Sequence, residues 1–408
     1  MEETTHPRLR HDIQAVPITI EGRQLITFVD PLNISGTGFA LDRRALPLLS
    51  LLDGRNDLRD IQTALMKITG GTIVPISEVQ ALIAQLDRAF LLESEAFTAR
   101  KKAVMDDFAG RPRREPMLAG RSYDADPAGL KAFIASVEEG LSPLDGPDPD
   151  GISGILAPHI DIAAARDAYV DAYRRVRGGG HDLAVILGIN HQGDAGLYSL
   201  SDKDYATPLG VLETDREVVA RLREGLPDGT LAVHDFDHMT EHSIEFQTVF
   251  LAHYLGTGVK IVPILCGGIH EFLAKGSDPF EDERFRTFRE NILGVVEEGR
   301  RKILLVSGVD FSHVGHKFGH RVSAEALIDS ARANDRELID HLLHARARDI
   351  YLNTRDTRDR YNVCGIASMM LFSSLMGPCR AELLHHGTYD EPATGSAVTF
   401  ASMVFTRS

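Results

Sequence analysis

The sequence predicts an α/β fold: a central, mostly buried sheet with helices on both faces, plus a small N-terminal α+β domain. Three observations predict it. Beyond residue 117, apolar runs bounded by turn residues alternate with stretches of helical periodicity. Residues 1–95 instead give strand patterns first and helical patterns afterwards. Residues 96–116, ending Arg111-Pro-Arg-Arg-Glu-Pro116, mix charge and proline without a period and read as a linker. At 408 residues the chain is longer than one ordinary domain needs, which agrees with a small module followed by a large one, 117–408.

In the small module, residues 23–30 and 36–42 read as short strands, with Asp30-Pro31 and Gly36 as turn signals. Apolar residues then recur at helical spacing over 45–52, 58–65 and 79–86. Gly54 ends the first helix, Asn56 or Asp57 can cap the second, and Ser77 and Glu78 open the third. A hairpin with three helices is a winged-helix-like arrangement. The stretch "LLSLLDGRNDLRDIQTAL" followed by "LDRAFLLES" resembles the PqqD-like peptide-recognition modules. A helical packing or dimerisation domain is the other reading. Reading DNA is disfavoured, because the segment holds more Asp and Glu than Lys and Arg.

In the large domain, strands are expected at 155–157, 183–187, 260–265 and 303–306, with a closing strand in "GSAVTFASMVF". Helices are expected through Tyr169 and Tyr173 and around 288–296, and "LDGPDPDG" at 144–151 reads as an exposed acidic turn. A formal net charge of −15 repels a phosphate backbone and argues against a nucleic-acid partner. Three widely spaced cysteines, Cys266, Cys364 and Cys379, suit a reducing compartment better than a disulfide framework. The polar, acidic start and the lack of a long apolar run point to a cytoplasmic protein with no membrane partner.

Ligands of open α/β sheets bind beyond the carboxyl ends of the strands. Three strand runs here end in histidine: "ILAPHID" delivers His159, "VILGINHQG" delivers His191, and "LLVSGVDFSHVG" delivers Asp310 and His313. A lone strand-end histidine is commonly structural or solvated, whereas three on neighbouring strands need a metal or an acid partner to coexist. Cys364, just before the helical pattern 366–371, lies where a helix dipole favours thiolate, although a small buried hydrophobe is the plain alternative. In "TEHSIEFQ", Glu241 and Glu245 are explained by helix capping, but His242 is not. His242 and Glu245 lie three apart and would share a helix face, as a pair orienting a ligand.

The motifs "AGRSYDADP", "ILAPHID", "LGINHQG", "TPLGVLETD", "EHSIEFQ", "IVPILCGG", "SGVDFSHVG" and "NVCGIAS" together resemble the Memo family, the AmmeMemoRadiSam system protein B group, over residues 117–406. That family's fold is similar to the class III extradiol dioxygenases. The resemblance implies metal ligands at His159, His191 and Cys364, with catalytic roles for His313 as general acid or base steadied by Asp310, and for His242. It further implies Fe(II) or copper, with zinc as an alternative, and redox chemistry on a small molecule or peptide. A radical SAM or another Memo-system protein is the implied protein partner. Two departures from the family pattern stand out. His159-Ile-Asp-Ile replaces the usual His-Ala-Gly-Tyr, and His191-Gln192 replaces paired histidines. Three function classes follow: a dioxygenase-like metal oxidoreductase, a peptide- or protein-binding module on the same scaffold, and metal-free thiol chemistry with Cys364 as nucleophile and His313 as base.

Overall fold

The computed structural model describes residues 6–20, 22–35, 39–144, 148–193 and 196–407. The chain divides into two compact units, the first ending at Gly110 and the second beginning at Arg111. In the first, strands Gln14–Ile20, Arg23–Val29 and Ala40–Asp42 form an antiparallel sheet in that order. The Gln14–Ile20 strand is hidden in the sequence by Pro17, which pairs opposite Ile26, and it lies at the sheet edge where proline is tolerated. The expected 36–42 strand is shorter, Ala40–Asp42, and the Gly36 turn falls outside the described residues, as does part of the 144–151 turn. The Asp30 turn forms, with its carboxylate accepting the N–H groups of Leu32, Ile34 and Ser35.

Helices Leu58–Ile68 and Ile76–Arg88 follow, the former opened by an Asp57–Asp60 capping box. The expected linker is corrected. Glu95–Gly110 is a helix belonging to the first unit, and only Phe108 is buried among its residues, so it leaves no apolar stripe to read. It is held to that unit by Arg10, whose buried guanidinium pairs with Asp12 and Asp30 and lies 4.3 Å from the Phe97 ring centroid. Among the described residues no helix is long and apolar enough to cross a membrane.

The second unit is built on an eight-stranded mixed sheet. Its centre is four parallel strands in the spatial order Ile152–Ala157, Ile303–Gly308, Leu183–Ile189, Lys260–Cys266. Antiparallel Ser396–Arg407 pairs along one side with the long Cys379–Glu391 strand, and on its other side its beginning pairs with His313–Gly315 and its end with Ile152–Ala157. The closing strand is therefore internal to the sheet. Leu183–Ile189 is buried at every residue. Leu183, Val185 and Leu187 join one apolar cluster, while Ala184 and Ile186 join the other. That alternation is what a sheet covered on both faces requires. Helices Pro127–Gly140, Arg166–Arg174 and Ser243–Tyr254 cover one face, and Glu283–Glu297, Ile328–Leu343 and Ile366–Met376 are among those on the other.

Two glycines set how closely helix Ser243–Tyr254 approaches the sheet. A Cβ on Gly188 would lie 2.6 Å from Ser243 Oγ, and one on Gly308 would lie 2.7 Å from the Ser243 carbonyl oxygen. Behind the helix start, buried Arg114 donates to the carbonyls of His238 and Glu241 and pairs with Glu245. Glu245 also accepts from Leu118 N–H at 2.8 Å and Tyr123 OH at 2.5 Å. Arg114→Met would leave that carboxylate buried without its cation, a loss expected at roughly 3–5 kcal/mol. Urea denaturation followed on the second unit should show the large destabilisation. A shift under about 1 kcal/mol, the range of exposed pairs, would mean the pair is not buried as described.

Candidate metal centre

The sheet order brings the expected residues together. Ile303–Gly308 lies between Ile152–Ala157 and Leu183–Ile189, so the loops bearing His159, Asp310 and His191 leave adjacent strand ends. Helix Ser243–Tyr254, let in by the two glycines, adds Glu241 and His242, and Gly365 immediately follows Cys364 at the start of Ile366–Met376. His159, His191, His242, Asp310, His313 and Cys364 all line one cleft of about 800 Å³.

Each first-named imidazole has one nitrogen committed. His159 Nδ1 lies 3.0 Å from the Gly308 carbonyl oxygen, which only accepts, so Nδ1 carries a proton and Nε2 faces the cleft. Nε2 is 3.4 Å from Cys364 Sγ and 3.6 Å from Asp310 Oδ2. His191 Nδ1 donates to Glu241 Oε2 at 3.0 Å, again leaving Nε2 free. A side-chain contact with Cys364 adds to the forces acting on His191. The rings of His191 and His242 stack with centroids 5.3 Å apart, and one ligand nitrogen from each of His159, His191 and His242 lies within 4.8 Å of the others.

The electrostatics divide these groups. Burial opposes charge on His159, but Asp310 and the Cys364 thiolate hold its pKa up at about 9. Burial likewise opposes charge on His191, and Glu241 outweighs it, raising the pKa well above the usual imidazole value. His242 goes the other way, to about 4, through burial and then the positive charge of its two neighbours, against the pull of Glu241. For Cys364, burial would raise the pKa, yet His159 and His313 bring it down to about 5. The metal-free site is thus an imidazolium–thiolate array beside one neutral imidazole.

Two expected pairings differ. Glu245 and His242 do not form a pair that orients a ligand: the Glu245 carboxylate turns to Arg114, Leu118 and Tyr123, and it is Glu241 that contacts His242. Asp310 does not steady His313 but His159, accepting its backbone N–H at 3.0 Å. His313 Nδ1 instead lies 3.1 Å from the Phe311 carbonyl oxygen, and its backbone N–H donates to Tyr361. Both surprises have a local cause, since a helix start turns consecutive residues to different sides and a tight turn lets the main chain hold a ring. Glu241 was visible in the sequence only as a capping acid; Gly308, whose carbonyl fixes His159, carried no side-chain signal. Cys266 is fully buried, with burial pushing its thiol pKa up, and Cys379 is half-buried, so neither joins the cleft.

The thiolate character of Cys364 is directly testable. Iodoacetamide labelling of metal-free protein should rise through a midpoint near pH 5 and be flat by pH 7, because the thiolate form is complete above the lowered pKa. In His159→Gln the cation is lost and the midpoint should move up. A wild-type midpoint near 8.5, the ordinary thiol value, would refute the array.

A family model described as Memo-like protein matches residues 114–404. A MEMO1 family protein of Aquifex aeolicus is 32% identical over 379 residues, covering 92% of this chain and 94% of its own. MEMO1 family proteins of Methanopyrus kandleri and Thermococcus kodakarensis are 28% and 29% identical, each over 72% of this chain and 99% of their own length. The Aquifex match is too long to lie in the second unit alone and reaches into the first. With its larger unit matched by the family model and nearly its whole length matched by one relative, this chain belongs to the Memo-like family.

Proposed function

We propose that this protein is a metal-dependent oxidoreductase in which His159, His191 and Cys364 hold Fe(II) or copper, zinc being the redox-inert alternative. The observation that carries the reading is the 3.4 Å between His159 Nε2 and Cys364 Sγ, with both imidazoles anchored through their other nitrogens. Nitrogen and sulfur ligands at about 2.0–2.1 and 2.3 Å from a tetrahedral ion stand roughly 3.5 Å apart, so this pair already fits. The His191–Glu241 contact has the carboxylate–histidine form that raises ligand basicity and fixes the tautomer. Imidazole and thiolate together suit copper, iron and zinc.

When bound, iron or copper supplies one-electron redox chemistry. The chain's own groups do the rest. Glu241 and Gly308 aim the two imidazoles, Asp310 holds the His159 backbone, and ligand protons leave as metal enters. His313, on the cleft wall with Nδ1 held by Phe311 O, presents Nε2 as acid or base toward a small molecule or peptide in the cleft. His242, adjacent and held neutral by burial and its two imidazole neighbours, would serve the reaction as a hydrogen-bonding group in the cleft rather than as a proton carrier. The protein would work in the cytoplasm, where three free cysteines persist as thiols.

One observation favours a second reading, a peptide- or protein-binding module with a structural metal. The ligand nitrogens of His159, His191 and His242 lie within 4.8 Å of one another, and His242 as a fourth ligand beside Cys364 would close the open position that catalysis at such a site requires. The first unit, with its PqqD-like sequence pattern, would then present the partner, a radical SAM or other Memo-system protein being the kind implied. Metal-free thiol chemistry stands third, with Cys364 as nucleophile and His313 as base.

Protein purified anaerobically should carry near-stoichiometric metal by plasma mass spectrometry, and His159→Ala, His191→Ala and Cys364→Ala should lose it. Glu241→Gln should weaken affinity about 10–100-fold, and His313→Ala should keep the metal. Metal unchanged in His191→Ala would disprove the ligand set, and metal loss only in His313→Ala would exchange ligand and base. If His242→Ala also loses metal, the closed, structural reading is favoured. Deleting residues 1–110 should leave metal content intact, since relatives matched over 99% of their length align with only 72% of this chain. Loss of metal on that deletion would make the first unit part of the site's support.

A further inference from the structure

The wall of the cleft has a charge pattern distinct from the donors at its floor. It carries Asp161, Asp310, Lys317 and Glu391 beside the rings of Phe318 and Tyr389. Most of this charge is already matched. Asp310 is held by His159. Lys317 Nζ lies 2.7 and 2.9 Å from the two Glu391 oxygens, and its backbone N–H is fixed on Ser396 Oγ at 2.9 Å.

Asp161 is the exception. One of its oxygens accepts the Ala163 N–H at 3.0 Å, which pins the carboxylate at the start of the short helical turn Ile162–Ala164. Among the described residues no Lys, Arg or His side chain pairs with it, and the residue is exposed to the cleft. It is therefore an oriented anion awaiting a cation. It also follows His159 by two residues on one loop, about 7 Å at most between Cα atoms, so a small molecule at the donors reaches it. Tyr389, 40% exposed, and Phe318 add ring faces, whose negative quadrupoles attract cations as well.

We propose that the cleft takes a substrate bearing a cationic amine on an apolar body, with the ammonium seated on the Asp161 carboxylate. This rests on the reading of the cleft as a substrate site. An anionic substrate would find Lys317 already matched by Glu391 and would meet Asp161 unshielded, leaving only the floor of the cleft to attract it. A neutral one would leave Asp161 solvated and unused.

The test compares three phenyl probes of similar size that differ in charge: 2-phenylethylamine, 2-phenylethanol and phenylacetate. Their binding to the full chain is measured by ligand-observed NMR at pH 7 and low salt, with metal-loaded and metal-free samples, because salt screens an exposed pair. The amine should bind about tenfold tighter than the alcohol, with the acid weakest. Asp161→Asn should bring the amine down to the alcohol, and Lys317→Met should leave the amine's advantage in place. Equal affinities, no binding of the amine, or an advantage that survives Asp161→Asn would overturn the proposal. So would preference for the acid that vanishes in Lys317→Met, which would make Lys317 the recognising group. Metal content is assayed separately in each sample. Selectivity lost with metal retained defeats this proposal alone, and selectivity kept by protein that never binds metal defeats the metal reading alone.

Discussion

The buried carboxylate of Glu241 is the constraint on which the site depends. It accepts from the backbone N–H groups of His191, His242 and Ser243 and from the His191 ring. Burial by itself would drive a carboxyl group toward neutrality, but the surrounding donors and the two imidazoles hold Glu241 well below its usual pKa. One charge thus joins the end of strand Leu183–Ile189 to the start of helix Ser243–Tyr254. It turns His191 Nε2 toward Cys364 and brings His242 alongside. Without it, two histidines from distant parts of the chain would share a cavity with nothing to set their angles.

That carboxylate can reach the strand end only because the helix start comes so close. Gly188 and Gly308 sit under Ser243, where any side chain would collide with it. Ser243 Oγ then takes the Ile189 N–H at 2.8 Å, and Gln247 donates to the Pro158 carbonyl at 2.8 Å. Packing and hydrogen bonding in this unit therefore serve the same end, which is to fix three strand ends and one helix start as a rigid frame.

Much of this was legible in the sequence. Apolar runs ending in His159, His191 and Asp310 marked both the strands and their functional ends, because fully buried strands leave long apolar runs and their loops carry the polar groups. Adjacency of those ends depends on strand order, which no local pattern encodes, and the structure supplies it. The sequence misled where local signals were absent or shared. Glu241 and Glu245 look alike at a helix start, yet one faces the cleft and the other faces Arg114. The Glu95–Gly110 helix buries too little to show a period, and Pro17 masks an edge strand. Main-chain acceptors such as the Gly308 carbonyl cannot be read from residue types at all.

The central claim is that one thiolate and at least two imidazoles share a metal ion. X-ray absorption on the iron- or copper-loaded protein tests it most directly, since sulfur is told from nitrogen by its scattering and its longer bond. The account predicts a single sulfur at about 2.3 Å with nitrogen ligands near 2.0–2.1 Å, and loss of the sulfur in Cys364→Ser. A wild-type spectrum with nitrogen and oxygen only, unchanged in that variant, would contradict it.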